Sequence, residues 1–337
     1  MSVLRGLLSA LLSVVLSIRH GLYARGVFSS SPGAIKTIVV GNLAIGGSGK
    51  TPFSDMILNQ LKHSHRLAFL SRGYGRSTRG FLKIGQDDSA EHVGDEPLLI
   101  ASHHPDVPAY VGEKRVPALK KMARLHPNLD WVVLDDAYQH RALKGDINIL
   151  LSRFGQPFYH DHLWPKGDLR DLRARAHAAD LIVFTGAPNS LAADVQSKMM
   201  EESQKYSAAK VFFAHTASLP LQSLFGHHIQ EYQTFGSFCG IAHPETFHEN
   251  IQVIQPTKVQ VNFKDHHRFN EDDLQSIQSK MVNFDGQVEA WITTEKDAMR
   301  IRDLKVWKNI PVFYLPIVLK INEEEATEWN LWWKKRI

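Results

Sequence analysis

Residues 41–52 read GNLAIGGSGKTP. They follow a short apolar run at residues 38–40 and precede a segment that puts Phe53, Met56, Ile57 and Leu61 on one helical face. Strand, glycine-rich turn, Gly-Lys-Thr and helix is the setting a phosphate-binding loop requires. Gly46, Gly47 and Gly49, with Ser48 among them, let backbone N–H groups turn inward around phosphate oxygens. The N-terminus of the following helix adds its partial positive charge. Lys50 can reach the outer phosphates of ATP, and the Thr51 hydroxyl is a ligand for Mg²⁺. Pro52 is tolerated because first-turn N–H groups have no helical partner. The usual spacing would set a first glycine at position 44, where this chain has Ala44. A glycine-rich structural turn is the plainer reading of the same residues, and the flanking strand and helix argue against it.

The second signal is WVVLDD at residues 131–136. An apolar strand ending in acids sets a carboxylate at the sheet edge beside a phosphate-binding loop, in position to hold Mg²⁺. Asp135 and Asp136 are adjacent, so their side chains cannot both point the same way: one faces the metal, and the other holds the loop or Lys50. Further apolar runs at residues 67–70, 147–151, 181–184, 211–214, 290–292 and 312–315 alternate with helix-length segments. This predicts an α/β fold with a mainly parallel sheet. The break around Pro220 and Gly226 predicts a boundary between two domains.

The composition of the 337-residue chain is that of a globular protein. There are 39 Lys and Arg against 35 Asp and Glu, a net charge of +4. That excess suits an anionic ligand or a membrane surface and is too small to argue for nucleic acid. The single cysteine, Cys239, excludes an intramolecular disulfide and a multi-cysteine zinc site. A reducing compartment fits best.

Residues 6–18 (GLLSALLSVVLSI) carry no charge and lie between Arg5 and Arg19. The run is shorter than the ~20 residues a spanning helix needs. On a helix Ser9, Ser13 and Ser17 form a narrow polar stripe, opposite Leu4, Leu7, Leu8, Leu11, Leu12 and Val15. A signal peptide lacks its small-residue cleavage site here. A buried structural helix is one reading; an amphipathic helix lying in a membrane interface, with Arg5, Arg19 and Arg25 at the headgroups, is preferred.

Transfer of a phosphoryl group to a hydroxyl needs a proton acceptor. Asp95 and Glu96, in VGDEP, are one candidate pair, although acids in a helix first turn are favoured by the dipole alone. Asp265, His266 and His267, in FKDHHRF, are another; they could be a base, a metal site or a loop clasp. His160, Asp161 and His162 read as a loop. Arg72 and Arg76 (SRGYGR), Arg115 (VGEKR) and Arg170 (GDLRDL) could meet an anionic acceptor, yet each alone reads as a solvated charge. Thr294 with Asp297 reads as a helix cap. Trp329, Trp332 and Trp333 with Lys334, Lys335 and Arg336 read as a packed terminal helix or as an interfacial contact.

Taken together, VGNLAIGGSGKTP, LSRGYGR, VGDEPLLIA, VVLDDAYQHRAL, WPKGDLRDL, FCGIAHPETF, FKDHHRF and TTEKDAMR occur in an order and spacing that resembles the tetraacyldisaccharide 4′-kinase family, the lipid A 4′-kinases of Gram-negative bacteria. That family accepts a non-glycine at position 44. Ala137 and Tyr138 stand where Gly-Phe is common, and Asp168 where proline is usual. The resemblance implies transfer of the ATP γ-phosphate to the 4′-hydroxyl of an acylated disaccharide 1-phosphate. It implies an α/β/α P-loop domain and a smaller α/β domain joined by a two-stranded linker. We therefore expect a membrane-associating helix over residues 1–28, a kinase domain over 29–217, a second domain over 218–315, and a segment over 316–337 that returns to the first. It implies Lys50 and Thr51 at the phosphates, Asp135 and Asp136 at Mg²⁺, and Asp95 as general base with His266 as its partner; His267 is the alternative. Arg72, Arg76, Glu96, Arg115, Gln139, His140 and Arg170 are the residues expected near the lipid substrate. The expected location is the cytoplasmic face of the inner membrane, with no protein partner.

A soluble P-loop kinase for a small metabolite shares the nucleotide half of this reading, and a nucleotide-dependent switch or ATPase shares it without needing the acceptor base. The amphipathic N-terminus separates the first from a lipid kinase, and Asp95 separates the second.

Overall fold

The computed structural model describes residues 2–282 and 288–337. The phosphate-loop strand, β1 (Lys36–Asn42), is buried on both faces along nearly its whole length, as a central strand of a parallel sheet must be. Around it stand β2 (Leu67–Ser71), β3 (Ala109–Val111), β4 (Trp131–Leu134), β5 (Ile147–Arg153), β6 (Leu181–Thr185) and β7 (Lys210–Ser218). A smaller sheet contains β8 (Phe235–Cys239), β9 (Thr257–Asn262), β10 (Ala290–Thr294) and β11 (Val312–Leu315). Strand β12 (Ile317–Ile321) then returns to the first sheet, antiparallel to β7.

The large sheet has nine strands in the order β12-β7-β6-β5-β1-β4-β2-β3, closed at the β3 edge by the two-residue strand Leu82–Lys83. Apart from its two edge strands it is parallel. The small sheet has five strands, with β9-β8-β10-β11 parallel and Gln222–Ser223 antiparallel at the edge. The chain passes from the large lobe to the small one after β7 and comes back through β12. The α/β class and the second, smaller sheet agree with the sequence reading. Every strand expected from an apolar run is present.

The helices are α1 (Ser2–Ala24), α2 (Lys50–Leu61), α3 (Asp95–His103), α4 (Arg115–Leu125), α5 (Ala193–Gln204), α6 (Pro244–Ile254), α7 (Glu271–Val282), α8 (Glu295–Ile301) and α9 (Ala326–Lys334). Helix α2 buries Phe53, Ile57, Leu58 and Leu61 against the large sheet, each contributing about 1.5–3 kcal/mol of transfer free energy. Helix α9 packs beside it. Trp329 meets the Phe53 and Phe212 rings edge-on, and its indole N–H donates to Gln60 at 2.8 Å. Trp333 is also buried, so the terminal aromatic segment is a packed helix that closes the large lobe.

Helix α1 is longer than the uncharged run foretold, because Arg5 and Arg19 continue the helix instead of ending it. Its span Val3–Ala24 is long and apolar enough to cross a membrane by length and composition. One stripe is docked: Ser9 and Leu16 are buried, and the Ser9 hydroxyl lies 2.8 Å from the Leu163 carbonyl. The opposite face, with Leu4, Leu7, Leu8, Leu11 and Val15, is exposed.

Candidate active site

The loop after β1 is shaped by backbone rules. Gly49 caps α2 at φ 70° and Gly46 sits at φ 90°, both in the left-handed region that favours glycine. Gly41 cannot be replaced for a different reason: a Cβ there would lie 2.6 Å from Tyr138 Cβ. Ala44 needs no glycine. It forms an antiparallel bridge with Leu169, and Ile45 N–H donates to the Asp168 carbonyl at 2.7 Å. The loop is thus pinned to the WPKGDLRDL segment. That segment is itself held by the buried Asp161 carboxylate, which accepts from the backbone N–H groups of His162 and Asp168. Asp161 is a loop clasp.

Strand β4 ends beside this loop, and its two acids part. Asp136 adopts φ 47°, in the left-handed region that L side chains rarely occupy. Asp135 is fully buried and faces α2, with Ser54 Oγ at 3.2 Å and Thr51 Oγ1 at 3.5 Å. Asp136 turns the other way, 3.8 Å from Lys50 Nζ and in a charge-assisted hydrogen bond with Arg170. Burial, with Glu96 and Asp136 nearby, pushes the Asp135 carboxyl up to about 7. Burial acts the same way on Asp136, but Lys50, Arg170 and Arg115 outweigh it and hold that carboxyl below the usual range. Arg170 also reaches Asn42 Oδ1 at 2.8 Å, and Asn42 donates to Ser48 Oγ at 2.6 Å. Gln139 donates to the Asn42 carbonyl. Arg170, Asn42, Gln139 and Ser48 therefore form one scaffold for the phosphate loop.

A buried hydroxyl and a buried carboxylate facing each other at hydrogen-bond range form a hard-oxygen donor set of the kind Mg²⁺ takes, with phosphates and water completing the shell. Among the described residues there is no cluster of three or more His, Cys, Asp or Glu side chains that could hold a metal. The Asp265-His266-His267 and His160-Asp161-His162 triplets do not gather into such a cluster.

A second cluster is assembled from both lobes. Gly94, at φ 97°, turns the chain into α3 so that Asp95 and Glu96 stand in its first turn. Opposite them, His266 adopts φ 55°; with Asp136 it is one of the two non-glycine residues at positive φ among the described residues. Its Nδ1 lies 3.5 Å from Asp95 Oδ2. His267 points elsewhere, with Nε2 2.9 Å from Asp273. Burial favours a neutral Asp95, but His266, Arg300 and Lys296 together hold its carboxyl well below the usual range. The hydrogen bond to Asp95 raises the His266 imidazole, against burial.

The expected substrate residues divide. Arg72 is exposed and, among the described residues, has no ion pair. Arg76 is turned to Glu113 and the Gly80 carbonyl. Arg115 is corrected from a solvated charge. It is buried, and its guanidinium donates to the Gly112 and Asp135 carbonyls, so it braces the end of β4. Glu96 is paired with Lys296 across the cleft. His140 is half-buried, and burial with Arg115, Arg19 and Arg72 pulls it down to about 4, so it is a neutral group in a positive field.

Two residues had no assigned role in the sequence reading. Lys296 and Arg300 project from α8 onto Glu96 and Asp95, from about two hundred residues away in the chain. The recurring TTEKDAMR segment was the signal for them. Its Thr294 does cap α8, accepting from Asp297 N–H at 3.1 Å.

A phosphate loop on a parallel sheet with a buried acid beside its threonine defines an α/β P-loop nucleotide-binding protein. Residues 1–333 match the family model described as tetraacyldisaccharide-1-P 4′-kinase. The tetraacyldisaccharide 4′-kinase of Flavobacterium johnsoniae is 31% identical over 325 residues, covering 94% of this chain and 93% of the relative. That of Cytophaga hutchinsonii is 33% identical over 325 residues, covering 94% and 91%. A crystal structure of the "apo" form of LpxK from Aquifex aeolicus in complex with ATP superposes with a TM-score of 0.74 at 25% identity, over 96% of both chains. The chain belongs to the tetraacyldisaccharide-1-phosphate 4′-kinase family. Its activity is ATP-dependent phosphorylation of a lipid disaccharide in lipid A synthesis.

Proposed function

We propose that the chain transfers the ATP γ-phosphate to the 4′-hydroxyl of a tetraacyldisaccharide 1-phosphate, with Asp95 as the proton acceptor, at the surface of the inner membrane facing the cytoplasm. What supports the residue roles is that Asp135, beside Thr51, lies within the field of Glu96, the neighbour of Asp95, while Asp95 meets His266 from the small lobe.

The backbone of residues 46–49 and Lys50 bind the β- and γ-phosphates. Thr51 and Asp135 are the residues that would hold Mg²⁺, which when bound offsets charge on the phosphate oxygens. Asp136 sets the position of Lys50. Asp95 accepts a hydrogen bond from the 4′-hydroxyl and orients it in line. Phosphoryl transfer passes through a loose transition state, so little proton transfer is needed before the bond to phosphorus forms. A carboxylate held below its usual pKa can therefore serve, provided the proton has somewhere to go. His266, raised by the same contact, is that place. Arg72 and His140, at the edge of the cleft, face the anionic lipid head.

The exposed apolar face of α1 rests in the membrane interface and keeps the enzyme at the depth of the sugar head. The two lobes are units that close around the substrates, linked by β7 and β12.

The test is transfer of ³²P from γ-labelled ATP to a synthetic tetraacylated glucosamine disaccharide 1-phosphate in mixed micelles, with and without Mg²⁺. Label in the glycolipid that depends on Mg²⁺ and is lost in Asp95→Ala supports the reading. Release of inorganic phosphate alone rejects it.

A further inference from the structure

Arg300 is the most heavily engaged side chain in the cleft that the reaction described above leaves without a role. Its guanidinium is almost wholly buried. From the small lobe it is gripped by Asp297 Oδ1 at 2.6 Å and the Gly240 carbonyl at 2.8 Å, both through Nη1. Asp297 is anchored in turn by Thr294 Oγ1 at 2.8 Å and by Gly240 N–H at 2.9 Å. The other edge of the guanidinium faces the large lobe. Nε lies 2.9 Å from Asp95 Oδ2 and Nη2 bonds the same oxygen. Nη2 is also 3.2 Å from His266 Nδ1. The second oxygen of Asp95 accepts from Glu96 N–H at 2.9 Å. The carboxylate is therefore fixed in rotation by one contact from its own helix and by a fork from the opposite lobe.

We propose that Arg300 is a positioning residue for the phosphoryl transfer: it locks the Asp95 carboxylate in its working orientation when the lobes meet, and it directs the abstracted proton onward to His266. The inference rests on Asp95 being the proton acceptor. The acceptor O–H bond breaks and an O–P bond forms, while the bond from the γ-phosphorus to the bridging oxygen breaks and ADP leaves. The proton passes to Asp95 and then to Nδ1 of His266. A fixed cation on Oδ2 makes a protonated Asp95 unfavourable, so the proton does not stay there. In accepting it the imidazole gives up the contact from Nη2 and takes a charge beside Arg300, which Asp95 and Asp265 more than offset. An arginine suits this task because its planar fork holds both angle and distance. It also ties the base to closure, since the fork belongs to the small lobe and the carboxylate to the large one.

The charged groups facing Asp95 are Arg300 and Lys296 from α8, and His266 with Asp265 behind it from the loop after β9; Glu96 is its neighbour on α3. Of these only Arg300 contacts both Asp95 and His266. An Asp beside an arginine is lowered by about 1–3 pH units. Arg300 also opposes protonation of His266, which must be neutral to take the proton, so removing the arginine should move the acidic limb of the kcat profile upward.

The experiment measures kcat and ATP KM from pH 4.5 to 9 for wild type, Arg300→Gln, Arg300→Lys and Asp95→Ala, using the full chain and the labelled-lipid assay. Arg300→Gln should lower kcat at pH 7.5 by about 10–10²-fold, within the range of a disturbed general base, leave ATP KM within about 3-fold, and shift the acidic limb up. Arg300→Lys should restore most of the pH profile and only part of kcat. If Arg300→Gln fails to fold because Asp297 is left buried and unpaired, Asp297→Asn/Arg300→Gln removes that charge and must show the same shift. An unmoved acidic limb overturns the proposal even if kcat falls, because a structural role lowers kcat at all pH values alike. Full activity in Arg300→Gln overturns it too. If Asp95→Ala keeps its activity, the proton-acceptor reading fails and this inference with it. If Asp95→Ala is inactive while Arg300→Gln keeps its profile, only the Arg300 inference fails.

Discussion

His266 Nδ1 stands 3.5 Å from Asp95 Oδ2 across the cleft between the two sheets, while the adjacent His267 is bound to Asp273 on its own lobe. The two histidines should therefore behave differently. Asp95→Ala should lower kcat by at least ~10²-fold and leave ATP affinity largely intact. His266→Ala should lower kcat by about 10–10²-fold, because an acceptor remains but its proton outlet is gone. His267→Ala should change kcat by less than about 3-fold, since its partner is Asp273 on its own lobe and not Asp95. Steady-state kinetics with ATP-binding titrations check all three, and equal losses in the two histidine variants would contradict the assignment.

Asp135 and Asp136 are neighbours with opposite charge environments. The folded Asp135 carboxyl is raised to about 7 from an unfolded value near ~3.9. For an acid shifted upward, ionisation favours the unfolded chain. The nucleotide-free protein should lose stability through this group as pH rises from about 4 to 7. Asp135→Asn should raise the melting temperature of nucleotide-free protein at pH 8 and abolish Mg²⁺-dependent transfer. Asp136→Asn should not stabilise, because that carboxylate already has Lys50 and Arg170 as partners. Thermal melts at pH 5 and pH 8 separate the two; a lower melting temperature for Asp135→Asn at pH 8 would rule out the buried-charge account.

Helix α2 is joined to the small lobe through a histidine. His103 Nδ1 is 2.9 Å from Asp55, and its Nε2 is 2.9 Å from Glu295. Burial opposes protonation, but the two carboxylates prevail and raise His103 to about 10. The sign follows from an unfolded value near ~6.5. The stabilisation is complete below that pH and is lost as pH climbs through about 10. Between pH 6.5 and 10 the melting temperature of wild type should fall further than that of His103→Gln, by on the order of 2–4 °C. Parallel curves would show that the bridge contributes nothing to lobe contact.

Much of this site was legible because its conformation is dictated locally. Glycines at 46 and 49 take the backbone angles that phosphate binding requires, and the buried parallel strands appear as unbroken apolar runs. Strand β8 was missed because Gly236, Ser237 and Cys239 interrupt its apolar character. Gly236 is glycine because the Trp291 ring lies against it, 2.5 Å from where a Cβ would be. Strand β9 was missed because it is an edge strand with alternating burial, which reads as a polar segment. Arg115 looked solvated because nothing in VGEKR announces that its partners are two backbone carbonyls. Arg300 and Lys296 were out of reach for a similar reason: ion pairs between helices distant in the chain depend on how the two lobes meet, which no local pattern encodes.

Helix α1 has one docked face and one free face. Leu4, Leu7, Leu8, Leu11 and Val15 are solvent-exposed, whereas Ser9 and Leu16 on the other face dock onto the large lobe. A helix held by one stripe leaves the other free, so its apolar side chains can enter an interface without disturbing the fold. Each leucine that leaves water contributes about 1.5–3 kcal/mol, and replacing two should weaken vesicle partitioning by about 10²–10⁴-fold. Leu7→Asp/Leu11→Asp should therefore move the protein from the vesicle pellet to the supernatant in sedimentation with anionic phospholipid. ATP affinity should stay unchanged, because neither residue approaches the phosphate loop. Transfer to the acylated disaccharide should fall through KM for the lipid. Unchanged sedimentation of the double variant would move the membrane contact to another surface, and a loss of ATP affinity would mean that α1 supports the nucleotide site instead.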